Sequence, residues 1–166
     1  MIFLKKLNLT KDISSKYLFW MNDIDVQKYT EQKYFKTTLK DIKKYVLEKN
    51  KSKNEFLYGI FLKQNKLHIG NIKLGPINCY HQTADISYFI GDKIYWNKNF
   101  ASLAIQQIIK IAKKKKVKKI KAGCYAINKG SIKVLKKNGF KLEGKLKSEI
   151  KFNNKRCDGY IFGKIL

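Results

Sequence analysis

Residues Ala84 to Lys115 decide the fold, and they read ADISYFIGDKIYWNKNFASLAIQQIIKIAKKK. The apolar run at the start predicts a strand that ends at Gly91. A polar loop continues to Asn99, and apolar residues then recur every three or four positions, which predicts a helix. The first turns of a helix carry unpaired N–H groups and the positive end of the macrodipole, so they favour an anion. We therefore predict that the residues from Asn97 to Ser102 surround the diphosphate of a nucleotide-type cofactor.

The overall composition indicates one folded domain over residues 1–166. With 44% apolar and 13% aromatic residues, the chain can build a core and is not expected to be disordered. No apolar run approaches the ~20 residues of a membrane span. The apolar stretch at the N-terminus is shorter than the about 7–15 residues of a secretory signal. We expect a cytoplasmic protein with no membrane partner.

The three cysteines, Cys79, Cys124 and Cys157, have no spacing typical of a metal site. An odd number without such spacing favours reduced, incidental thiols over a disulfide or metal role. We expect no metal, although Cys124 would line a site if it ends a strand there.

The net charge of +25 predicts attraction of anionic ligands. A lysine run from Lys113 to Lys119 raises the alternative of a nucleic-acid-binding module without enzymatic activity. Arg156 is the only arginine, whereas phosphate and base readers favour arginine. Lysines at a helix C-terminus also complement the dipole. We therefore interpret the charge as a solvated surface and do not expect nucleic acid as a partner.

Periodicity and turn signals predict the other elements. Helices are expected over 14–22 and 131–137, and from a cap at Thr37-Thr38 to about Lys49, with a short turn from Asp23. Strands are expected over 2–7, 56–62, 66–74, 117–124, 140–150 and 156–166. Gly75-Pro76 is expected to end the hairpin of the third strand. This order predicts an α+β domain in which helices cover both faces of a mixed, mostly antiparallel, twisted sheet.

Four segments in this order resemble one known family, the Gcn5-related N-acetyltransferases (GNAT). More narrowly, they are similar to the branch that includes ribosomal-protein N-acetyltransferases and bacterial amino-sugar N-acetyltransferases. The segments are WMND at 20–23, HIGNIKLGPIN at 68–78, YWNKNFAS at 95–102, and NKGS at 128–131 with NGF at 138–140 and EG at 143–144. The resemblance covers nearly the whole chain.

The resemblance implies acetyl-CoA as the cosubstrate and names the residues that would hold it. Main-chain groups of the central strand would hold the thioester and pantetheine arm, loop amides would hold the diphosphate, and the next helix would contact the arm. These residues are Phe89, Ile90 and Gly91, then Asn97, Lys98, Asn99, Phe100, Ala101 and Ser102, then Asn128 and Ser131. Asn97 and Asn99 stand where relatives have glycine. Asparagine tolerates the left-handed backbone region, so we expect the loop to keep its shape.

The resemblance also suggests catalytic residues. Many relatives have a tyrosine at the position of Leu135 as the acid for the CoA thiolate, and Ser131 is the candidate here, with a plain helix N-cap as the alternative. For the base we consider Asp85 and His81. The alternatives are a structural acid paired with lysines for Asp85 and a bystander loop residue for His81.

The acceptor side is expected at the first helix and at the loop before the central strand, with Trp20, Asn22, Asp23, Tyr29, Tyr80 and His81. Their aromatic rings could serve the core instead. The favoured acceptor is a nucleotide-linked amino sugar for surface glycans, which the positive field would suit. A protein N-terminal acetyltransferase is the alternative within the class. A homodimer is left open.

Overall fold

The computed structural model describes residues 1–166. The strands, in chain order, are β1 (Ile2–Lys6), β2 (Phe56–Leu62), β3 (His68–Asn78), β4 (Thr83–Ile90), β5 (Lys119–Tyr125), β6 (Lys141–Phe152) and β7 (Lys155–Ile165). The helices are α1 (Ser15–Asn22), α2 (Ile24–Gln27), α3 (Leu39–Lys51), α4 (Phe100–Lys114) and α5 (Lys129–Lys137), with two short 3₁₀ helices at Glu31–Tyr34 and Lys93–Tyr95.

One seven-stranded sheet, in the order β1-β2-β3-β4-β5-β7-β6, organises the molecule. All neighbouring strands run antiparallel except β4 and β5. These two parallel strands pair only from Thr83–Asp85 to Lys119–Lys121, although both continue beyond that point. The sheet therefore opens into a gap between the C-terminal ends of β4 and β5.

Helices cover both faces of the sheet because β1 and β2 place apolar residues on both sides. In β2, Phe56 and Ile60 join the larger core beneath α4, whereas Leu57 and Phe61 join a second core beneath α1 and α3. Helix α4 contributes Ala104, Ile105, Ile108 and Ala112 to the larger core, which is the spacing of one helix face. The predicted fold class is thus confirmed.

Local sequence sets the ends of the helices. The Thr38 side chain accepts the Asp41 N–H while the Asp41 side chain accepts the Thr38 N–H, which forms a capping box at the start of α3. Ser14 caps α1 by accepting the Tyr17 N–H. Gly139 follows α5 with φ of 78°, a left-handed conformation that glycine adopts without a Cβ penalty.

The predicted end of β3 at Gly75-Pro76 is wrong. The strand continues to Asn78, with a register shift between Leu74 and Ile77. A bulge absorbs the proline because the missing N–H falls where the ladder is already interrupted. The Ile77 N–H instead donates to Asn54 O at 2.8 Å. No helix in the structure combines the length and the apolar character that crossing a bilayer requires.

Candidate active site

The C-terminal half of β4 has a free edge that faces the gap in the sheet. The Gly91 N–H donates to Ile69 O at 2.9 Å, and these two residues lie directly opposite one another in the register. Hydrogen-bonded and non-bonded pairs alternate along antiparallel strands. The amide of Phe89 therefore belongs to the ladder with β3, whereas the amides of Tyr88 and Ile90 face the gap.

This geometry gives different roles to the three strand residues that were predicted to bind the cosubstrate. The Ile90 carbonyl accepts the Trp96 indole N–H at 2.7 Å, so only the Ile90 N–H is free at that position. Gly91 has its N–H in the sheet, and a Cβ there would lie 2.1 Å from a ring carbon of Trp20. Gly91 therefore serves close packing. Tyr88, which sequence reasoning left out, offers both main-chain groups to the gap.

The loop before α4 presents a row of unpaired amides. Asn97 and Asn99 have φ of 60° and 66°, the left-handed region that the sequence predicted asparagine would tolerate. None of the backbone N–H groups from Asn97 to Ser102 donates to an atom of the chain. Asn99 occupies the N-cap position without a side-chain cap bond. Bare amides at the start of a fifteen-residue helix form an anion site.

Two side chains define the surroundings of this loop. The Lys137 ammonium donates to Asn99 Oδ1 at 2.9 Å, which brings a second cation beside the exposed Lys98. Ser102 is 1% exposed, and its hydroxyl accepts the Asn138 amide at 3.0 Å. The Ser102 side chain therefore joins α4 to α5, and only its N–H belongs to the loop. The contribution of Lys137 carried no sequence signal because it comes from another helix.

A hydroxyl pair spans the gap from β4 to α5. The Tyr88 and Ser131 hydroxyl oxygens lie 2.9 Å apart. Asn128 is the N-cap of α5, because its side chain accepts the Ser131 N–H at 3.1 Å. The alternative in which Ser131 is a plain N-cap is therefore wrong. Burial raises the pKa of Tyr88 to about 12, and the bond to Ser131 opposes that rise.

Cys124 lies on β5 beside this pair and is half-buried. Burial raises the pKa of its thiol to about 11, so it stays protonated and is not an activated nucleophile. Leu135, at the position where the resemblance expected tyrosine, is fully buried in the larger core.

A cavity of about 660 Å³ opens on the other side of β4. It reaches β4 at Ser87, Tyr88 and Phe89, so it touches the strand whose free edge faces the gap. Its other walls come from α1, α2, α3, β2, β3 and the segment between α2 and α3. They are Tyr17, Met21, Gln27, Thr30, Gln32, Phe35, Lys36, Thr37, Asp41, Ile42, Tyr45, Leu57, Asn71 and Lys73.

Lys36 is the one charged residue of the cavity wall without an ionic or capping partner. Lys73 donates to Glu55 at 2.7 Å, and Asp41 accepts the Thr38 N–H and hydroxyl at 2.8 and 2.6 Å. Those hydrogen bonds lower the pKa of Asp41. Lys36 has no carboxylate within salt-bridge distance. The cavity wall therefore carries two lysines and one ionised carboxylate, and neither Lys36 nor Asp41 has an ionic partner.

The predicted acceptor residues of α1 and α2 surround this cavity without lining it. Trp20 is 2% exposed and belongs to the second core. Asn22 bonds both backbone groups of Thr37, at 2.9 and 3.0 Å, and so holds the cavity wall. Asp23 caps α2 and pairs with Lys93 at 2.9 Å. Tyr29 packs on Tyr125 and Phe152.

Tyr80 and His81 lie in the turn between β3 and β4, where both are exposed. Tyr80 is 97% exposed, and neither residue lines the cavity. The structure thus does not bring them to the other predicted acceptor residues, because β3 continues past Pro76 and carries this turn beyond the paired part of the sheet. Asp85 alternates with Ser87 and Phe89 on β4 and pairs with Lys121 at 3.5 Å.

A free strand edge, a row of bare amides at a helix N-terminus and an adjoining cavity define an acyltransferase. Such a protein holds a diphosphate-bearing thioester on one side of the strand and an amine on the other. The family model described as acetyltransferase (GNAT) domain matches residues 3–141. The chain belongs to the GNAT family, and it is an N-acetyltransferase that uses acetyl-CoA as its cosubstrate.

Relatives agree with this assignment. The chain is 31% identical over 156 residues to the uncharacterized N-acetyltransferase YnaD of Bacillus subtilis (strain 168), covering 92% of this chain and 86% of that protein. It is 33% identical over 108 residues to the probable N-acetyltransferase YjcK of the same organism, covering 64% of this chain but only 59% of that protein. A GNAT-family acetyltransferase structure from Bacillus anthracis is 26% identical, with a TM-score of 0.83 and coverage of 99% and 94%.

Proposed function

We propose that this enzyme acetylates the primary amine of a nucleotide-linked amino sugar. The observation that carries the proposal is Lys36, a lysine of the cavity wall without an ionic partner. A diphosphate-bearing acceptor would place its anionic group against that lysine. The net charge of +25 would raise the rate at which such an anion arrives.

The same cavity disfavours polycations. A polyamine needs carboxylates to balance each ammonium that loses its water, because an unpaired buried charge is costly. Asp41, the only acid of the wall, already accepts two hydrogen bonds from Thr38. The wall therefore offers a polyamine one carboxylate against two lysines, Lys36 and Lys73.

The residues present fit the cosubstrate because the unpaired amides from Asn97 to Ser102 match the acceptor oxygens of a diphosphate. Lys98 and Lys137 would add positive charge at the same loop. When bound, acetyl-CoA supplies the thioester carbonyl that an amine attacks. The N–H groups of Tyr88 and Ile90 at the free edge of β4 would stabilise negative charge on the carbonyl oxygen.

Tyr88 and Ser131 would act together on the leaving group. Burial keeps the Tyr88 hydroxyl protonated, with its pKa raised to about 12, so Tyr88 can donate to the Ser131 oxygen, which lies 2.9 Å away. The Ser131 hydrogen is then free to point to a third atom. We propose that it donates a hydrogen bond to the departing thiolate, which takes its proton from water, and that Tyr88 is the positioning residue.

The proton of the incoming ammonium must leave before the amine attacks. Asp85 does not line the cavity, but it lies two residues before Ser87, which does, on the same face of β4. We propose that Asp85 receives the proton through water. Asp85→Asn would then lower kcat/KM most at pH values where the free amine is scarce, and an unchanged pH profile would exclude Asp85 as the base.

A thiol-release assay tests the acceptor. An amino sugar carried on a nucleoside diphosphate, the same free amino sugar, a short peptide with a free N-terminus, and spermidine are compared at equal concentration. We expect the nucleotide-linked sugar to have the highest kcat/KM. Lys36→Gln should lower that value about tenfold, as for a charge-assisted bond of about 1.5 kcal/mol, and leave the free sugar unchanged.

Lys43→Gln is the matched control, because Lys43 is an exposed lysine of α3 that does not line the cavity. Equal effects of the two variants would refute the role of Lys36. A higher kcat/KM for the peptide or for spermidine would refute the proposed acceptor while leaving the acetyltransferase activity intact.

A further inference from the structure

Asn71 is a buried polar residue of the cavity with an unused donor. Its side chain lines the cavity, and the residue is 2% exposed. Asn71 lies on β3 directly opposite Phe89 of β4, so it stands beside the strand where the acceptor amine would react. The Asn71 Nδ2 atom has no hydrogen-bond partner, which is rare for a buried amide.

His68 fixes the orientation of this amide. His68 Nε2 lies 2.9 Å from Gly70 O and 2.8 Å from Asn71 Oδ1. A main-chain carbonyl only accepts, so Nε2 must carry the proton, and the atom of Asn71 that faces it must be the oxygen. The amide nitrogen is therefore the free end. Burial lowers the pKa of His68, and its ring stacks on Phe61 with centroids 4.8 Å apart.

The Tyr17 hydroxyl is the second polar group at this place. Tyr17 lines the cavity and is 2% exposed, and its hydroxyl interacts with the Asn71 side chain. Burial raises the pKa of Tyr17, and the Asn71 amide, which is its neighbour, opposes that rise. The hydroxyl therefore stays protonated and can donate.

We propose that the Asn71 amide nitrogen and the Tyr17 hydroxyl form an oxygen-binding floor of the acceptor cavity. The floor selects primary amines that carry a hydroxyl or carbonyl oxygen on the carbon next to the amine-bearing carbon. An amino sugar offers a neighbouring hydroxyl, and a peptide N-terminus offers its first carbonyl. Simple alkylamines and polyamines offer neither. This inference rests on the proposed function of the cavity as the acceptor site.

Matched pairs of amines test the floor by thiol release. Ethanolamine is compared with propylamine, and glycinamide with isobutylamine, at equal concentrations of neutral amine. We expect the oxygen-bearing member of at least one pair to have a kcat/KM at least about tenfold higher, since buried polar groups discriminate against analogues that leave them unpaired. The hydroxyl and carbonyl pairs distinguish a sugar-type from a peptide-type acceptor.

Three variants locate the preference. Asn71→Asp keeps an oxygen for His68 but removes the amide donor, and Tyr17→Phe removes only a hydroxyl; each should reduce the ratio within a pair to about threefold or less. Tyr45→Phe is the control, because Tyr45 lines the same cavity away from Asn71; its ratio should equal that of the wild type. Circular dichroism and acetyl-CoA titration confirm that each variant is folded and binds the cosubstrate.

The outcomes separate this inference from the function on which it rests. Failure to bind acetyl-CoA, or failure to acetylate any amine, would refute the proposed function and the floor with it. Turnover without a preference for the oxygen-bearing amines would refute the floor alone, and would indicate that a buried water satisfies Asn71. An unchanged preference in both Asn71→Asp and Tyr17→Phe would also refute it.

Discussion

Asn99→Gly should leave acetyl-CoA binding equal to that of the wild type or tighten it. Asn99 has φ of 66° and ψ of 4°, where an ordinary L-residue is destabilised by about 1–2 kcal/mol. Glycine removes that strain, but it adds about 0.5–1 kcal/mol of backbone entropy to the unfolded chain. The two effects nearly cancel, so the free energy of unfolding should change by less than about 1 kcal/mol.

The loss of the Asn99 side chain also releases a cation. Lys137 donates to Asn99 Oδ1 at 2.9 Å, and without that acceptor its ammonium can turn toward a phosphate. An exposed ion pair contributes about 0.2–1 kcal/mol, so the dissociation constant should stay equal or fall up to about fivefold.

Asn99→Ala is the matched control, because it removes the same side-chain oxygen but keeps a Cβ at the left-handed position. We expect alanine to move the free loop out of the left-handed conformation, and a cost of about 1–2 kcal/mol for restoring it on binding corresponds to affinity weaker by about 5- to 30-fold. Isothermal titration of the three folded proteins with acetyl-CoA measures the difference. A loss of affinity beyond tenfold in Asn99→Gly, or wild-type affinity in Asn99→Ala, would refute the loop of bare amides as the diphosphate site.

Three further predictions concern the strand, the packing beneath it and the pH dependence of stability. Tyr88→Phe should lower kcat about tenfold with little change in the KM for acetyl-CoA, since one transition-state hydrogen bond of Ser131 loses its orientation. Equal losses of kcat in Ser131→Ala and in the double variant would show that the two hydroxyls act as one unit. Additive losses would contradict this. Gly91→Ala should destabilise by about 1–3 kcal/mol in urea, because its Cβ would lie 2.1 Å from a buried indole carbon, whereas the control Gly123→Ala, with its nearest atom at 4.0 Å, should not. Burial lowers the pKa of His68 from 6.5, so the unfolded chain takes the proton first as the pH falls. The free energy of unfolding should therefore fall as the pH drops below about 6.5 and level off beneath the pKa of the folded state. His68→Gln should flatten that part of the plot of unfolding free energy against pH, and an unchanged slope would contradict the assignment.

The elements that could be predicted from the sequence are those whose cause is local. The capping box from Thr38 to Asp41 spans four residues, and the face of α4 repeats within one helix. The left-handed Asn99 follows from the residue type itself. The end of β3 could not be predicted, because a proline stops a strand unless a bulge receives it, and the bulge depends on pairing with β4.

The site was predictable only in part for the same reason. The loop at Asn97 to Ser102 is contiguous, so its unpaired amides follow from one segment. The hydroxyl pair joins Tyr88 to Ser131, 43 residues apart, and the cavity combines α1, α3 and three strands. Alternation along β4 would have placed Tyr88 on the side of Ile86 and Ile90, but not its partner. Contacts between distant segments depend on topology, which periodicity does not encode.

The short pairing between β4 and β5 has a mechanical consequence for the whole molecule. Only the pairs from Thr83–Asp85 to Lys119–Lys121 join the first four strands to the last three. The two halves should therefore move relative to one another, and amide hydrogen exchange should be fastest along the unpaired ends of β4 and β5. A pantetheine arm bound between them would take the place of a strand and join the two halves. Binding of the cosubstrate should then slow amide hydrogen exchange in β4 and β5 together. The cavity for the acceptor would gain a more rigid wall only after the thioester is bound.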